Sequence, residues 1–433
     1  MLTFFKVFIM LELKDFILRI SCDLKAIIRS TTRIVHFVVG NEGADADSII
    51  SSIAYSYFLS NFDVNPNIVY APIIQLKKED YIFRPEVSSL LSQYEIDLNH
   101  IASIYDVDMK KLHNENRLRL SLVDHNVLTK LMENYSNDIV DILDHRKDIG
   151  LYPSIERNNR LISFNRNEDR GVASCCTLIG YKYINQYLST HPFTDYSPID
   201  TCIQRSITEH NVMKAENWKP IQNVDIDIKT IGYFLSSVIL LDAINFDPSL
   251  KRGTDLDLYV LSVLQRYIDT SFTRESMYTF IYNKKNDQSY LSSMTALQLL
   301  KYDFKLFSVS KNSNNSCPYG WSSLPISISQ FYKKPMVLKA CQDFMSRNTI
   351  YFLILTDITD EPKARHLSIL YNTQYTNLLQ QIISTPIHSL ILQNRLLQCK
   401  EISSNPIIYE YNIEYSRKRL NPILIDMIKT YFK

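Results

Sequence analysis

The sequence predicts an α/β fold, a mainly parallel sheet with flanking helices, for the N-terminal part of the chain and a smaller α+β domain after it. In the N-terminal part, short apolar runs alternate with segments of helical spacing, a pattern typical of βαβ units. Beyond about residue 280, strand-like runs follow one another closely enough to form hairpins. The length of 433 residues also exceeds what one ordinary core supports, which favours two domains.

Continuous apolar runs predict the strands of the first domain, because strands buried on both faces of a parallel sheet lack polar alternation. These strands are Ile34–Val39, Ile68–Ile74, Leu120–Val123 and Ile139–Leu143. Apolar residues at helical spacing predict the helices Ser48–Ser60, Arg84–Tyr94 and Ala173–Gln186. The run Ile231–Leu241 is apolar throughout and fits either a strand or a helix.

The same criteria predict mixed structure in the rest of the chain. The predicted helices are Leu256–Tyr267, Ser292–Leu300, Phe331–Met345 and Pro422–Phe432. The predicted strands are Phe304–Val309, Leu324–Gln330, Ile350–Leu355, Leu367–Tyr371 and Ile407–Ile413, of which the third and fourth form a hairpin. The predicted domain limits are 1–32 for an N-terminal extension, 33–270 for the first domain and 280–433 for the second.

Residues 1–32 begin with an apolar stretch that is interrupted by Lys6 and Glu12. The unbroken part is too short to span a bilayer, and it lacks the basic leader and the cleavage site of a secretory signal. We expect a packed or frayed terminal helix, with a weak organelle address as the alternative.

Composition excludes several classes of function. The formal net charge of +1 argues against a nucleic-acid-binding protein that relies on its overall field. The seven cysteines are odd in number and lack a Cys-x-x-Cys pair or zinc spacing, which fits reduced thiols and a cytoplasmic location. Cys175 and Cys176 have no local histidine partner, so we interpret them as buried thiols at a helix start rather than as nucleophiles.

Acidic side chains follow four of the apolar runs. Asp45 and Asp47 come after the first strand, and three further points carry Asp124-His125, Asp144-His145 and Asp242. A single Asp at such a place is commonly a helix cap or turn residue, as Asp47 or Ser48 would be here. Ligand sites of parallel sheets collect beyond the carboxyl ends of the strands, however, and capping alone explains four such points poorly. Carboxylates with a few imidazoles suit manganese or magnesium better than zinc or copper.

These residues together resemble the DHH phosphoesterase superfamily, in the branch of exopolyphosphatases and prune-like proteins that is related to family II inorganic pyrophosphatases. The resemblance extends from about residue 33 to about residue 425. The matching motifs are Gly40-Asn41…Asp45-Ala46-Asp47-Ser48, Leu122-Val123-Asp124-His125-Asn126, Asp144-His145-Arg146, Ala173-Ser174-Cys175-Cys176-Thr177-Leu178, Leu240-Leu241-Asp242-Ala243 and Ser416-Arg417-Lys418.

The chain departs from the family pattern at three of these positions and in one loop. Asn41 replaces a histidine of the pyrophosphatases, Arg146 replaces the second histidine of the signature, and Ala243 replaces a threonine or serine. The first two departures favour the exopolyphosphatase and prune-like branch. The glycine-rich basic loop of the C-terminal domain is not evident, and the corresponding stretch is Lys311–Ser322.

The resemblance implies a DHH domain at 33–270 and a substrate-binding DHH-associated domain at 280–433. It implies two divalent cations, Mn²⁺ or Mg²⁺, bridged by Asp124, with Asn41 and Asp144 orienting neighbours from outside the ligand set. The implied ligands are Asp45, Asp47, Asp124, His145 and Asp242. The implied catalytic residues are Asp124, His125, His145 and Arg146, and the implied substrate-binding residues are Arg146, Arg365, His366, Arg417 and Lys418.

By this resemblance we expect an exopolyphosphatase that hydrolyses terminal phosphoanhydride bonds of inorganic polyphosphate with a metal-activated water. The alternatives are a prune-like short-chain polyphosphatase, a pyrophosphatase or a nucleotide phosphodiesterase. A catalytically weak binding or regulatory protein is an alternative of another class. The expected partner is polyphosphate or a short phosphoanhydride, with no nucleic acid and no membrane, and the expected state is a monomer or homodimer.

Overall fold

The computed structural model divides the chain into two compact units, Met1–Lys285 and Asn286–Lys433. It describes residues 12–30, 32–63, 65–155, 159–165, 170–184, 227–250, 252–312, 315–357, 365–371, 396–397 and 407–411, together with Asn421 and Ile425. The domain limits given above remain predictions. None of the described helices is both long enough and apolar enough to cross a membrane.

Parallel strands form the central sheet of the first unit, which confirms the predicted fold class. The strands are β1 Ile34–Val39, β2 Ile68–Ile74, β3 Ala102–Ser103, β4 Leu118–Val123, β5 Ile139–Asp144 and β6 Arg160–Ile162. Their spatial order is β3-β2-β1-β4-β5-β6, and every neighbouring pair is parallel. The carboxyl ends of β1, β4 and β5 are therefore adjacent at one edge of the sheet.

Helices cover both faces of this sheet. They are α1 Leu13–Ser30, α2 Ala46–Phe62, α3 Pro85–Ser92, α4 Met109–Asn114, α5 Cys175–Tyr183, α6 Ile228–Asp242, α7 Asp255–Leu264 and α8 Arg274–Lys285. Val38 of β1 belongs to the hydrophobic cluster that contains α2, α5 and α6, whereas Phe37 and Val39 belong to a second cluster. This alternation along β1 places the two clusters on opposite faces. Both clusters include residues of α1, so the described part of the N-terminal segment is packed.

Short elements connect the main ones. Short 3₁₀ segments lie at Lys78–Phe83, Leu98–His100, Ile104–Asp106, Glu133–Asp138 and Ile244–Phe246. A two-stranded ladder joins β7 Phe164–Asn165 to β8 Arg170–Gly171 in antiparallel register. The apolar run 231–241, which fitted either a strand or a helix, is helical in α6, so Asp242 ends a helix and not a strand.

A buried polar network connects three elements of the first unit. The Tyr55 hydroxyl of α2 donates a hydrogen bond to Asp141 of β5, and the Lys182 ammonium of α5 lies 2.7 Å from the Tyr55 oxygen. The same ammonium lies 3.9 Å from Asp141 Oδ2 and over the Tyr55 ring. Because α2, β5 and α5 each contribute to the candidate site described below, this network holds the elements of that site together.

The second unit contains a mixed sheet. Its strands are β9 Phe304–Asn312, β10 Asn315–Leu324, β11 Phe352–Asp357, β12 Arg365–Tyr371, β13 Leu396–Leu397 and β14 Ile407–Tyr411. The order is β13-β14-β12-β11-β10-β9, in which the β10–β11 pair is parallel and the others antiparallel. The predicted hairpin of β11 and β12 is confirmed. The helices are α9 Gln288–Ser293, α10 Ala296–Tyr302, α11 Ile328–Tyr332 and α12 Val337–Arg347.

Three predictions in this unit are wrong. The helices predicted at Ser292–Leu300 and Phe331–Met345 are each two helices, α9 with α10 and α11 with α12. The strand predicted at 324–330 is instead the end of β10 followed by α11, because Ser327 and Gln330 form a capping box that starts a helix.

The stretch Lys311–Ser322, which corresponds in position to the family's basic loop, lies largely in the β9–β10 hairpin, and its role stays a prediction. Cys317, Tyr319 and Trp321 alternate toward the core at the period of a strand, and the intervening Pro, Gly and Ser residues obscured that pattern.

Candidate metal centre

The turn after β1 is built around Gly40 and Asn41. A Cβ atom on Gly40 would lie 2.1 Å from Ser48 Oγ, so only glycine allows α2 to start this close to the strand. Asn41 Oδ1 accepts hydrogen bonds from the N–H groups of Gly43, at 2.7 Å, and Ala44, at 3.0 Å. This bonding shapes the turn that delivers the first two carboxylates.

Asp45 and Asp47 have different roles at the start of α2. Asp45 is the N-cap, and its Oδ1 accepts from the Ser48 N–H at 3.0 Å. The capping alternative raised for Asp47 or Ser48 therefore applies to Asp45 instead. Asp47 is 5% exposed and inside the helix, so capping does not explain its position.

The N-terminus of α5 holds the Asp47 carboxylate. Asp47 Oδ1 accepts from Ser174 Oγ at 2.6 Å and from the Cys176 N–H at 2.9 Å, and Oδ2 accepts from the Cys175 N–H at 2.7 Å. Unsatisfied N–H groups at a helix start favour an anion. Burial raises the pKa of both cysteine thiols well above the usual value, which disfavours a thiolate nucleophile.

Asp124 follows β4 in a left-handed conformation with φ of 59°, and its side chain is fully buried. The Asn41 amide donates a hydrogen bond to Asp124 Oδ2. Asp124 Oδ1 lies 3.2 Å from His145 Nε2 and 3.0 Å from an Arg146 guanidinium nitrogen. Its backbone N–H donates to Leu143 O at 2.9 Å, which ties the residue to the neighbouring strand β5.

A hydrogen bond on the side of the imidazole ring that faces away from Asp124 orients His145. Its Nδ1–H donates to the Val172 carbonyl at 2.8 Å, which leaves Nε2 to face the carboxylates. Nε2 lies 3.8 Å from Asp47 Oδ2. Behind it, Asp144 Oδ1 accepts from the backbone N–H groups of His145 at 2.8 Å and Arg146 at 3.2 Å. One ligand atom from each of Asp47, Asp124 and His145 lies within 4.8 Å of the others.

Two predicted ligands lie beside this group of three. Asp45 raises the pKa of Asp124 by its charge, and Asp242 interacts electrostatically with Asp47, Asp45 and His145. The Asp242 Oδ2 atom is inaccessible to solvent and has no hydrogen-bond partner among the described residues. A buried carboxylate oxygen without a partner is costly unless a cation or proton satisfies it.

The electrostatics of the group favour a positive ligand. Burial and the charge of Asp47 raise the pKa of Asp124 to about 8. Burial, as the largest cause, and the charge of Asp47 raise the pKa of Asp242 well above its usual range. Burial lowers the pKa of His145, but the hydrogen bond to Asp124 and the nearby carboxylates outweigh it and raise the value to about 10. Carboxylate oxygens and an anchored imidazole, crowded in this way, fit a divalent cation of the manganese or magnesium type.

The other predicted site residues have separate surroundings. His125 donates from Nδ1 to Val123 O at 2.9 Å, and its buried Nε2 has no hydrogen-bond partner in the described part of the chain. In the second unit, His366 Nδ1 and the His366 N–H both bond Asp357, each at 2.8 Å. The backbone of Arg365 lies in β12. Arg417 and Lys418 lie outside the described residues.

Comparisons with known domain families, proteins and solved structures show what this chain is similar to. Residues 283–427 match the DHHA2 domain model. Exopolyphosphatase PRUNE1 of Bos taurus is 22% identical over 408 residues, which cover 93% of this chain and 77% of that protein. A "putative exopolyphosphatase" of Schizosaccharomyces pombe is 38% identical over 145 residues, 33% of this chain and 34% of that protein. A solved structure from Methanococcus jannaschii, a "putative family II inorganic pyrophosphatase", has 17% identity and a TM-score of 0.51 over 91% of this chain and 99% of its own.

The chain belongs to the DHH phosphoesterase superfamily, in its prune-like exopolyphosphatase branch. In this DHH phosphoesterase, the signature position after Asp144-His145 is Arg146, whose guanidinium also bonds the Asp124 carbonyl at 2.7 Å.

The buried Arg84 supports the candidate metal centre of this DHH phosphoesterase and was missed by the sequence-based prediction. Its guanidinium donates to the carbonyl of Ala44, at 2.6 Å, and to that of Gly43, so it fixes the turn that carries Asp45. Arg84 lies about forty residues along the chain from that turn, and no spacing rule links the two positions.

We expect Gly171→Ala to displace His145. A Cβ atom at position 171 would lie 1.8 Å from His145 O and 2.5 Å from Ser163 O, so the β8 backbone has to move together with the adjacent Val172 carbonyl. We expect a loss of stability of about 1–3 kcal/mol and a manganese affinity lower by about 10–100-fold. Urea unfolding and manganese titration measure these effects. Gly232→Ala is the control, because its nearest contact is an ordinary 3.5 Å, and equal behaviour of the two variants would contradict the expectation.

Manganese affinity of the DHH phosphoesterase should rise with pH. The cation has to displace the protons that Asp124 and His145 retain through pKa values of about 8 and about 10. Protons compete with the cation at low pH, so affinity should rise by about tenfold per pH unit for each proton released near neutrality. Calorimetric titrations in two buffers of different ionisation enthalpy measure the proton release directly. Equal affinity at about pH 6 and about pH 8 would show that the site is already deprotonated.

Proposed function

We propose that this protein is a divalent-cation-dependent exopolyphosphatase, which removes terminal phosphate from inorganic polyphosphate. The observation that carries the proposal is the convergence of Asp47, Asp124 and His145 within 4.8 Å, at adjacent strand ends of a DHH phosphoesterase. The names of the Bos taurus and Schizosaccharomyces pombe relatives support the same activity.

The proposed working site would hold two cations, Mn²⁺ or Mg²⁺. The residues that would hold them are Asp45, Asp47, Asp124, His145 and Asp242. When bound, such cations lower the pKa of water and stabilise charge on the attacking and leaving oxygens. The residues of the chain keep this arrangement rigid: the α5 N-terminus orients Asp47, Asn41 orients Asp124, and the Val172 carbonyl orients His145.

Hydrolysis adds water across the terminal phosphoanhydride bond and releases one phosphate and a chain shortened by one unit. The Arg146 guanidinium lies beside Asp124, and its side chain is 47% exposed, so it can bind a phosphate oxygen from the solvent side. We propose that Arg365, His366, Arg417 and Lys418 bind further phosphate groups. We also propose a cytoplasmic location and a monomeric or homodimeric state.

Phosphate release tests the proposal. Pyrophosphate, tripolyphosphate and long-chain polyphosphate are each incubated with the protein and Mn²⁺ or Mg²⁺, and released phosphate and remaining chain length are measured. We expect release from long chains that shorten one unit at a time and no release after chelation of the cations. Turnover of only the short substrates would instead identify a short-chain polyphosphatase or pyrophosphatase.

The contact between Arg146 and Asp124 favours one alternative of another class. A guanidinium on the bridging carboxylate competes with a cation, so a catalytically weak binding or regulatory protein would show this contact too. Phosphate-chain binding without turnover of any of the three substrates, or of a nucleotide phosphodiester, would support that function and reject the exopolyphosphatase.

A further inference from the structure

Asp257 is a fully buried carboxylate at the start of α7. Its Oδ2 accepts hydrogen bonds from the Thr254 N–H, at 2.8 Å, and from the Thr254 hydroxyl, at 2.7 Å, as part of the capping box of this helix. The carboxylate also accepts from the Ala173 N–H, at 3.1 Å from Oδ1 and 3.0 Å from Oδ2, and from the Thr177 hydroxyl. A helix cap does not require these last contacts, which connect Asp257 to the segment that begins α5.

The contact with Ala173 reaches His145 through a single peptide group. The Ala173 N–H and the Val172 carbonyl belong to the same planar unit. The oxygen of that carbonyl lies 2.8 Å from His145 Nδ1. Asp257 therefore bonds the N–H end of a rigid group whose C=O end accepts from the imidazole, and it fixes the position of the oxygen that orients His145.

The same carboxylate reaches Asp47 through the start of α5. Ser174, whose hydroxyl lies 2.6 Å from Asp47 Oδ1, directly follows Ala173. Thr177 lies in the first turn of α5, next to the two N–H groups, at 175 and 176, that bond Asp47. Because Asp257 bonds this segment both before and after those N–H groups, it holds the helix start in place.

The contacts also polarise the peptide group between Val172 and Ala173. The N–H groups of Ala173 and Thr254 can only donate, so the pattern fits an ionised carboxylate, and these bonds oppose burial, which raises the pKa of Asp257. A negative charge at the N–H end makes the carbonyl at the other end a stronger acceptor, because hydrogen bonds in a chain strengthen one another. A stronger bond at Nδ1 of a histidine makes its Nε2 a better metal ligand.

We propose that Asp257 is a positioning residue of the candidate metal centre. It acts on His145 through the Val172–Ala173 peptide group and on Asp47 through the start of α5, and it is not itself a ligand. This inference rests on the cation binding in the proposed function, and it does not depend on which phosphate chain is the substrate.

Manganese titration of Asp257→Asn tests the inference. Asparagine keeps the size of the side chain but loses its charge and one acceptor oxygen, so we expect Mn²⁺ to bind about 10–100-fold more weakly. Thr254→Ala is the matched control, because it removes the cap of the same helix and one bond to the same carboxylate but leaves the bonds to Ala173 and Thr177. This control should unfold at a lower urea concentration than the unaltered protein and keep its Mn²⁺ affinity.

A nuclear magnetic resonance signal separates positioning from a general loss of stability. Protein labelled with ¹⁵N-histidine is loaded with Mg²⁺, and the Nδ1–H resonance of His145 is assigned by its absence from the spectrum of His145→Gln. In Asp257→Asn this resonance should move upfield, because the bond to the Val172 carbonyl weakens. In Thr254→Ala it should not move.

A third variant covers the case in which Asp257→Asn does not fold. Thr177→Val keeps the shape of the side chain and removes one donor to Asp257. We expect Mn²⁺ to bind about fivefold more weakly to this variant, the equivalent of one lost hydrogen bond. Unchanged affinity in Thr177→Val would then overturn the inference.

A folded Asp257→Asn protein with unchanged Mn²⁺ affinity, or with an unmoved His145 resonance, would overturn the inference. Equal losses of affinity in Asp257→Asn and Thr254→Ala would also overturn it, because they would reduce the role of Asp257 to capping α7. The phosphate-release assay distinguishes these failures from failure of the function. Phosphate release together with any of these outcomes rejects Asp257 alone, whereas the expected Mn²⁺ affinities without phosphate release reject the exopolyphosphatase and keep the role of Asp257.

Discussion

Asp124→Asn should lower kcat for phosphate release by on the order of 10³-fold. The substitution removes a negative charge that lies between the other ligands, and the amide cannot offer two anionic oxygens to cations. His145 Nε2 and Arg146 also lose the carboxylate that orients them. The fold should be retained, because asparagine has the same shape and the repulsion that Asp47 exerts on the buried Asp124 carboxylate disappears.

Steady-state phosphate release and manganese binding, measured on the same preparation, check this expectation. Asp106→Asn is the matched control, since Asp106 is an exposed aspartate elsewhere in the same unit, and its kcat should be unchanged. Thermal unfolding shows whether the Asp124 variant remains folded. A folded Asp124→Asn protein with full turnover would remove Asp124 from the catalytic centre.

Lys182→Met should destabilise the protein by about 3–5 kcal/mol, because it leaves the buried Asp141 carboxylate without its cation. Asp141 is 7% exposed, and its Oδ1 has no hydrogen-bond partner among the described residues. Only the Tyr55 hydroxyl bond would then remain on Oδ2 in the described network. Methionine keeps the apolar length of lysine, so the loss reports the charge and not the packing.

Urea unfolding measures the loss, with Lys110→Met as the control because Lys110 is an exposed lysine on α4. The double variant Lys182→Met/Asp141→Asn removes both charges and should recover part of the lost stability. A Lys182→Met protein within about 1 kcal/mol of the control would show that the pair contributes as little as a surface ion pair.

The main strands were predictable because their signal is local. Ile34–Val39 and Ile68–Ile74 have the predicted limits, since a strand buried on both faces is apolar at nearly every position, here all but His36, and a polar residue or glycine ends it. The α6 segment could not be assigned from its apolar run alone, because a helix buried on all sides carries no periodic polar signal. Strand β10 was missed since its apolar residues alternate with serine, proline and glycine, whereas the strand predicted at Phe304–Val309 lies in β9.

The candidate site likewise contains features that the sequence could predict and features that it could not. The order of strands in a parallel sheet brings residues after β1, β4 and β5 together, so Asp47, Asp124 and His145 could be anticipated as neighbours. Contacts made by main-chain atoms could not be anticipated, because a carbonyl such as that of Val172 has no sequence signature. Arg84 reaches the turn after β1 from the position just before α3, which no motif connects to that turn.

The hydrogen bonds from the N-terminus of α5 to Asp47 have an evolutionary consequence. The peptide amides at positions 175 and 176 hold the carboxylate, and the two thiols contribute no hydrogen bond to its oxygens in the described contacts. Other small, buried side chains could therefore replace both cysteines over time while the amides continue to hold Asp47. Distant relatives can thus share these main-chain hydrogen bonds to the aspartate without having identical residues at these two positions.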